Sequence, residues 1–181
     1  MSVAYTWGSK PEERILAFPC DRFLPDSTDD YFRAIDVSAP KSVIFRWLCQ
    51  LRVAPYSYDW IDNGGRRSPR DLKPGLDQLE VGQRMMSIFE LVEFERDRHL
   101  TMVLSRERSK RIFGDIALSY VVLPGRVLVK LRIRQPNRLR AHALAWGDLL
   151  MMRKQLNTLK MLMERSARTA LSGNLDVQST V

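Results

Sequence analysis

Between Pro55 and Gly65 the chain reads PYSYDWIDNGG, with Tyr56, Tyr58 and Trp60 at every second position and Asp59 and Asp62 among them. Phenol and indole rings offer apolar area with one polar atom each. Carboxylates beside them can serve as general bases when they line a pocket. They also cap helices and brace turns. Rings at a period of two share one side of an extended segment. Asn63, Gly64 and Gly65 then call for a turn, because they tolerate positive φ. Three large rings just before a bend either plug a core or line a ligand cavity.

Other chemistry finds little support. Ser57 lacks the glycines two positions either side that a nucleophile elbow needs. His99 and His142 stand far apart, each without a ligand-like neighbour in the sequence, and Cys20 and Cys49 have no metal spacing. No metal or other cofactor is expected. Gly64-Gly65 carries no phosphate-loop pattern. Asp62, and after it Asp59, are the candidates for proton transfer. Arg66, Arg67 and Arg70 follow in one loop and could hold a carboxylate at a pocket mouth, or simply be solvated.

Several elements must position these residues. Residues 1–29 carry three prolines and read as an irregular arm. Tyr31 to Ser38 alternates as a first strand, and Pro40 opens a short helix through Val43, Ile44, Trp47, Leu48 and Leu51. A long glycine- and proline-containing connection spans 64–83. Four strand-like runs follow, at 85–95, 99–105, 116–122 and 126–134. In the last, Val127, Val129, Leu131 and Ile133 face one way. Arg126, Lys130, Arg132 and Arg134 face the other, as in a half-buried strand with a solvated basic face. Glu95–Arg98 and Leu123-Pro124-Gly125 read as hairpin turns. Arg106, Arg108, Lys110 and Arg111 read as a basic loop. A long helix over 143–169 closes the domain, with an apolar stripe of Ala145, Leu149, Met152, Leu156, Leu159 and Met163. Residues 170–181 read as a flexible tail.

The 181 residues are 45% hydrophobic and 28% charged, enough for one core. The expected domain spans 30–169. No apolar run approaches the roughly 18 residues of a membrane crossing, and acidic residues stand where a signal peptide would be apolar. A cytoplasmic protein, monomer or homodimer, with reduced buried thiols is expected. Lys and Arg number 29 against 21 acids. This excess favours anionic partners, but it is spread along the chain and forms no known nucleic-acid motif. Neither a specific nucleic acid nor membrane insertion is expected. An interaction module using the basic face stays open as an alternative.

The order strand, helix, aromatic segment, long loop, antiparallel strands, long helix predicts a two-layer α+β domain. The strings YFRAIDVSAP (31–40), Trp47-Leu48, APYSYDWIDNGGRRSP (54–69) and WGDLLMMRKQL (146–156) carry a resemblance over about residues 12–166. They resemble the helix-grip superfamily, which includes START lipid-transfer, birch-pollen-allergen-like and polyketide cyclase/dehydrase-like proteins. The likeness is greatest to a bacterial subgroup of uncharacterised members. The resemblance implies a curved antiparallel sheet wrapped around a long C-terminal helix, with a hydrophobic small molecule bound between them. Only some members are enzymes, and no catalytic set of the cyclases maps onto this sequence. Binding without catalysis is therefore the leading expectation, and a cyclase- or dehydratase-type activity in the same cavity is the alternative. The residues placed to line that cavity are Tyr56, Tyr58, Trp60, Asp62, Phe89, Met102, Tyr120 and Met152. Met85, Met86, Met151, Met161 and Met163 add soft apolar surface that suits varied ligands or ordinary core filling.

Overall fold

The computed structural model describes residues 2–58, 65, 67–135 and 137–178. Helical turns α1 (Val3–Thr6) and α2 (Pro11–Arg14) and a 3-10 turn (Pro19–Arg22) lead into strand β1 (Asp29–Asp36). Helix α3 (Lys41–Cys49) runs into a second 3-10 turn, Gln50–Arg52. After the long connection come β2 (Arg84–Met85), β3 (Phe89–Glu95), β4 (His99–Leu104), helix α4 (Glu107–Phe113), β5 (Asp115–Leu123), β6 (Arg126–Arg134) and helix α5 (Arg138–Gln178). The strands form one antiparallel sheet in the order β1-β6-β5-β4-β3-β2.

Strand alternation gives the sheet two faces. Tyr31, Leu91, Leu100, Met102, Leu118, Tyr120, Val129 and Leu131 are buried on the concave face under α5. The helix answers with its stripe: Ala145, Leu149, Met152, Leu156, Leu159 and Met163 are all buried, while Trp146, Leu150 and Met161 lie exposed off it. Each fully buried large side chain contributes roughly 1.5–3 kcal/mol. Helix α5 is longer at both ends than the stripe predicts: Ala141 carries the stripe one turn further back, and Ser172, Gly173 and Asn174 interrupt the apolar period before the last turn.

The convex face differs from the sequence expectation. The basic side of β6 is covered over Arg126, Lys130 and Arg132, while Arg134 stays exposed. The arm lays Phe18, Cys20 and Leu24 on Phe32, Ala34, Ala117 and Leu128. Lys130 is buried, and its ammonium lies 2.6 Å from Asp21 and 3.3 Å from Asp30, between the rings of Phe18 and Phe32. Arg132 bonds to Ser27, Asp30 and the Asp21 and Pro25 carbonyls. Arg126 bridges Glu13 and Asp36. Alternation located these cations, but their acidic partners lie about a hundred residues away, in the arm and on β1.

Three further readings change. Residues Arg108, Lys110 and Arg111 belong to helix α4, with Arg106 as its N-cap, instead of a loop. The run 85–95 is divided by a tight turn at Met86 and Ser87, both with positive φ. Tyr56 also has positive φ, +57°, so the chain turns at the first of the three rings instead of running extended through it. The two hairpin turns are present, with Asp97 and Gly125 in the left-handed region.

Two measurements test the coverings. Leu156, 1% exposed, should lose about 2–5 kcal/mol on Leu156→Ala by urea unfolding, as buried Leu truncations do. Glu13 supplies a pH test of the arm. Burial pushes its carboxyl up, but hydrogen bonds from Arg126 and the Lys10 N–H, with the charges of both residues, hold it below the ordinary 4.5. Its stabilisation is thus present above that value and lost as pH falls through the lower folded value. The variant Glu13→Gln should show a shallower fall of urea midpoint below about pH 4.5 than the wild type.

Candidate functional site

Three of the sequence-predicted residues meet between sheet and helix. Met102 on β4 and Tyr120 on β5 are fully buried on the concave face, and Met152 of α5 lies over them. The Tyr120 hydroxyl is 3.8 Å from the Met152 sulfur. Phe89 sits half-buried at the start of β3, between Met85 and Leu104. Tyr56 is a core ring, edge-on to Trp47 with centroids 6.1 Å apart. Tyr58 is half-buried. Asp59, Trp60, Asp62 and Arg66 lie outside the described residues.

The same interior holds polar groups that sequence reasoning missed. Tyr120 donates to Gln155 Oε1 at 2.5 Å, and Gln155 Nε2 donates to the Pro55 carbonyl at 2.6 Å. That amide ties helix α5 to the turn that carries Tyr56. Burial raises the Tyr120 phenol far above its usual range, the Asp148 charge adds to this, and the bond to Gln155 only partly offsets it. Tyr120 therefore stays protonated. Arg33 is fully buried on β1. Its Nη2 donates to Asp148 of α5 at 2.6 Å, and its Nη1 donates to the Phe32 carbonyl at 2.9 Å. Burial raises the Asp148 carboxyl above the ordinary aspartate range, and the charge and hydrogen bond of Arg33 draw it only part of the way back.

Register brings these groups together. Arg33 pairs across to Val129, Val129 to Tyr120, and Tyr120 to Leu100, so Arg33 and Tyr120 stand in one row on the concave face. Asp148, Met152 and Gln155 follow at steps of four and three on α5, which places them on one helix face. The signal was present in the sequence. Arg33 has the same strand parity as Tyr31, and Asp148 and Gln155 adjoin the apolar stripe. Charged and amide residues are ordinarily read as solvent-facing, which hid it.

A second feature lies outside the grip. A cavity of about 90 Å³ opens between Tyr56-Ser57, Ser68–Arg70 and the α5 residues Lys154, Thr158, Met161 and Leu162. It is smaller than the roughly 300–1,000 Å³ of ordinary small-molecule sites. The long connection beside it is braced. Gln50 bonds twice to the Lys73 backbone, and Arg52 reaches the carbonyls of Gly75, Leu76 and Gln78. Arg165 bonds to the Arg70 carbonyl and pairs with Asp71. Arg70 lines the cavity, and Arg67 is exposed.

His99 does have acidic neighbours, Glu93 at 3.6 Å and Glu95 at 3.9 Å, which strand pairing supplies and spacing did not show. Burial nonetheless lowers its basicity, against the pull of both glutamates. No group of three metal-ligating side chains occurs among the described residues. Both cysteines are buried, and burial raises the Cys20 and Cys49 thiols to about 11 and about 12. Among the described residues no helix is long and apolar enough to cross a membrane.

A curved antiparallel sheet closed by one long C-terminal helix is the helix-grip fold. Neither a protein-family profile nor a curated protein matches the sequence. Solved structures do. A protein from Mesorhizobium loti superposes with a TM-score of 0.50 at 16% identity, over 75% of this chain and 97% of its own. A ginseng major latex-like protein from Panax ginseng gives 0.44 at 12% identity, over 78% and 98%. The chain thus shares its fold with the Mesorhizobium loti protein.

The Tyr120 network is directly testable. Tyr120→Phe leaves the buried Gln155 Oε1 without its donor and removes little area. It should cost about 1–3 kcal/mol in urea unfolding. A loss below half a kcal/mol would show that the amide re-pairs and that the network carries no constraint.

Proposed function

We propose that this protein binds an apolar or aromatic small molecule between the concave face of the sheet and helix α5. One observation carries the reading: a row of polar groups inside an otherwise apolar interior. Arg33 and Tyr120 stand on the sheet, and Asp148 and Gln155 on the helix. Ligand sites in folded domains combine apolar walls with a few convergent polar groups that set orientation. The walls here are Leu100, Met102, Leu118 and Met152. Two methionines suit the purpose, because their unbranched thioethers repack around varied shapes. The superfamily resemblance points to the same place.

Tyr120, Met152 and Gln155 are buried against one another here, so a ligand at this place enters by displacing some of them. Helix α5 and the turn at Tyr56 meet at this place through the Gln155–Pro55 hydrogen bond, which an entering ligand has to break or pass. A cyclase- or dehydratase-type reaction in the same interior is the second reading. The observation that favours it is Asp148, a carboxyl with raised proton affinity close to Tyr120.

Methionine methyl NMR distinguishes binding in the grip from binding elsewhere. Titration with ethylnaphthalene should shift the Met102 and Met152 methyl signals through the probe's ring current. Met161, which lines the outer cavity, should move far less. Shifts confined to Met161 would reject the grip as the site. Native mass spectrometry of freshly purified protein would in addition reveal a retained apolar molecule.

A further inference from the structure

Among the described residues, Arg33 Nε is a buried donor without a partner. Arg33 is 0% exposed, and its other two nitrogens are engaged by Asp148 and the Phe32 carbonyl. The guanidinium carbon sits 5.6 Å from the Tyr31 ring centre, and Tyr31 itself donates to the Ala141 carbonyl of α5 at 2.9 Å. Both terminal nitrogens of the guanidinium are thus engaged, and Nε is left without an acceptor. A buried donor normally finds a partner, so an exception calls for an explanation.

The charge balance restricts what that partner can be. Arg33 and Asp148 together are neutral. A second carboxylate at Nε would stand beside Asp148, where repulsion between like charges is weakly screened. A pure hydrocarbon would leave Nε as it is. A neutral oxygen with a lone pair satisfies the donor and adds no charge. We infer that the ligand of the grip carries a carbonyl oxygen, as in an aromatic ketone, ester or amide, that accepts from Arg33 Nε. This rests on the small-molecule reading of the same interior. Tyr120 stands two strands from Arg33, about 10 Å away at ordinary strand spacing. Met152 is one helical turn beyond Asp148. A carbonyl held at Arg33 therefore places an attached ring against Met152 and Tyr120.

Three probes of one ring system decide the matter: acetylnaphthalene, ethylnaphthalene and naphthoic acid, titrated into the wild type at neutral pH by calorimetry. The ketone should bind at least about tenfold tighter than ethylnaphthalene, the size of a hydrogen bond to a charged donor. It should also bind tighter than the acid. Equal affinity for ketone and hydrocarbon, or tightest binding of the acid, overturns the inference and leaves the small-molecule reading intact. Failure of all three to bind overturns both. The double variant Arg33→Leu with Asp148→Leu removes the pair together, since loss of one partner strands the other charge. In the folded double variant the ratio of ketone to ethylnaphthalene affinity should fall to about one. A preference that survives in the folded double variant excludes Arg33 as the donor. The wild-type comparison stands whether or not that variant folds.

Discussion

An antiparallel sheet with apolar residues on both faces has to be covered twice, and the two covers here work by different physics. Helix α5 covers the concave face by burying an aliphatic stripe, which is non-directional and tolerant of small rotations. The arm covers the convex face with a small apolar cluster and a set of charged pairs. Those pairs are directional, and Lys130 is buried enough that the loss of Asp21 and Asp30 would strand a charge. The sheet between them is held by ladders along every strand, so neither cover has to shape it.

Apolar packing alone would let α5 slide or roll along the grip. Its polar contacts fix the position. The Ala141 carbonyl accepts from Tyr31, Asp148 from Arg33, Gln155 from Tyr120, and Ser166 from the Trp47 indole. From Ala141 to Ser166 is about 38 Å of helix at 1.5 Å per residue. Four anchors over that length leave one axial register and one rotation. The groups proposed to orient a ligand are thus among those that hold the helix in place. Binding and closure of the grip share the same side chains.

The sequence was most legible where one period dominates. The alternation of β4, β5 and β6 and the stripe of α5 placed Leu100, Met102, Tyr120, Met152 and Leu156 on the buried side, where they are. Legibility failed where a local pattern meets a distant partner. The basic side of β6 read as solvated because the acids that neutralise it come from residues 13–36. Arg33, Asp148 and Gln155 were passed over because polar residue types signal exposure, although their positions repeat those of their buried neighbours. The aromatic segment failed differently. A period of two implies extended backbone, but Tyr56 turns into the left-handed region and packs on Trp47. Local turn geometry overrode the pattern.

The pairing of β1 with β6 has a consequence for how the chain is made. Asp29 lies opposite Ile133 and Asp36 opposite Arg126, so the first strand of the sheet closes against the last. On the ribosome, β1 and the arm leave the exit tunnel long before their partner exists. During that interval Phe18, Phe32 and the acidic groups of the arm have no surface to dock on. Ordering must wait for residue 134, and α5 can close the concave side only after that. Such a topology has high contact order and favours slow, late closure over stepwise assembly from the N-terminus. The charges of the arm then acquire a second use: they keep a nascent segment with exposed aromatic rings soluble until its half of the sheet arrives.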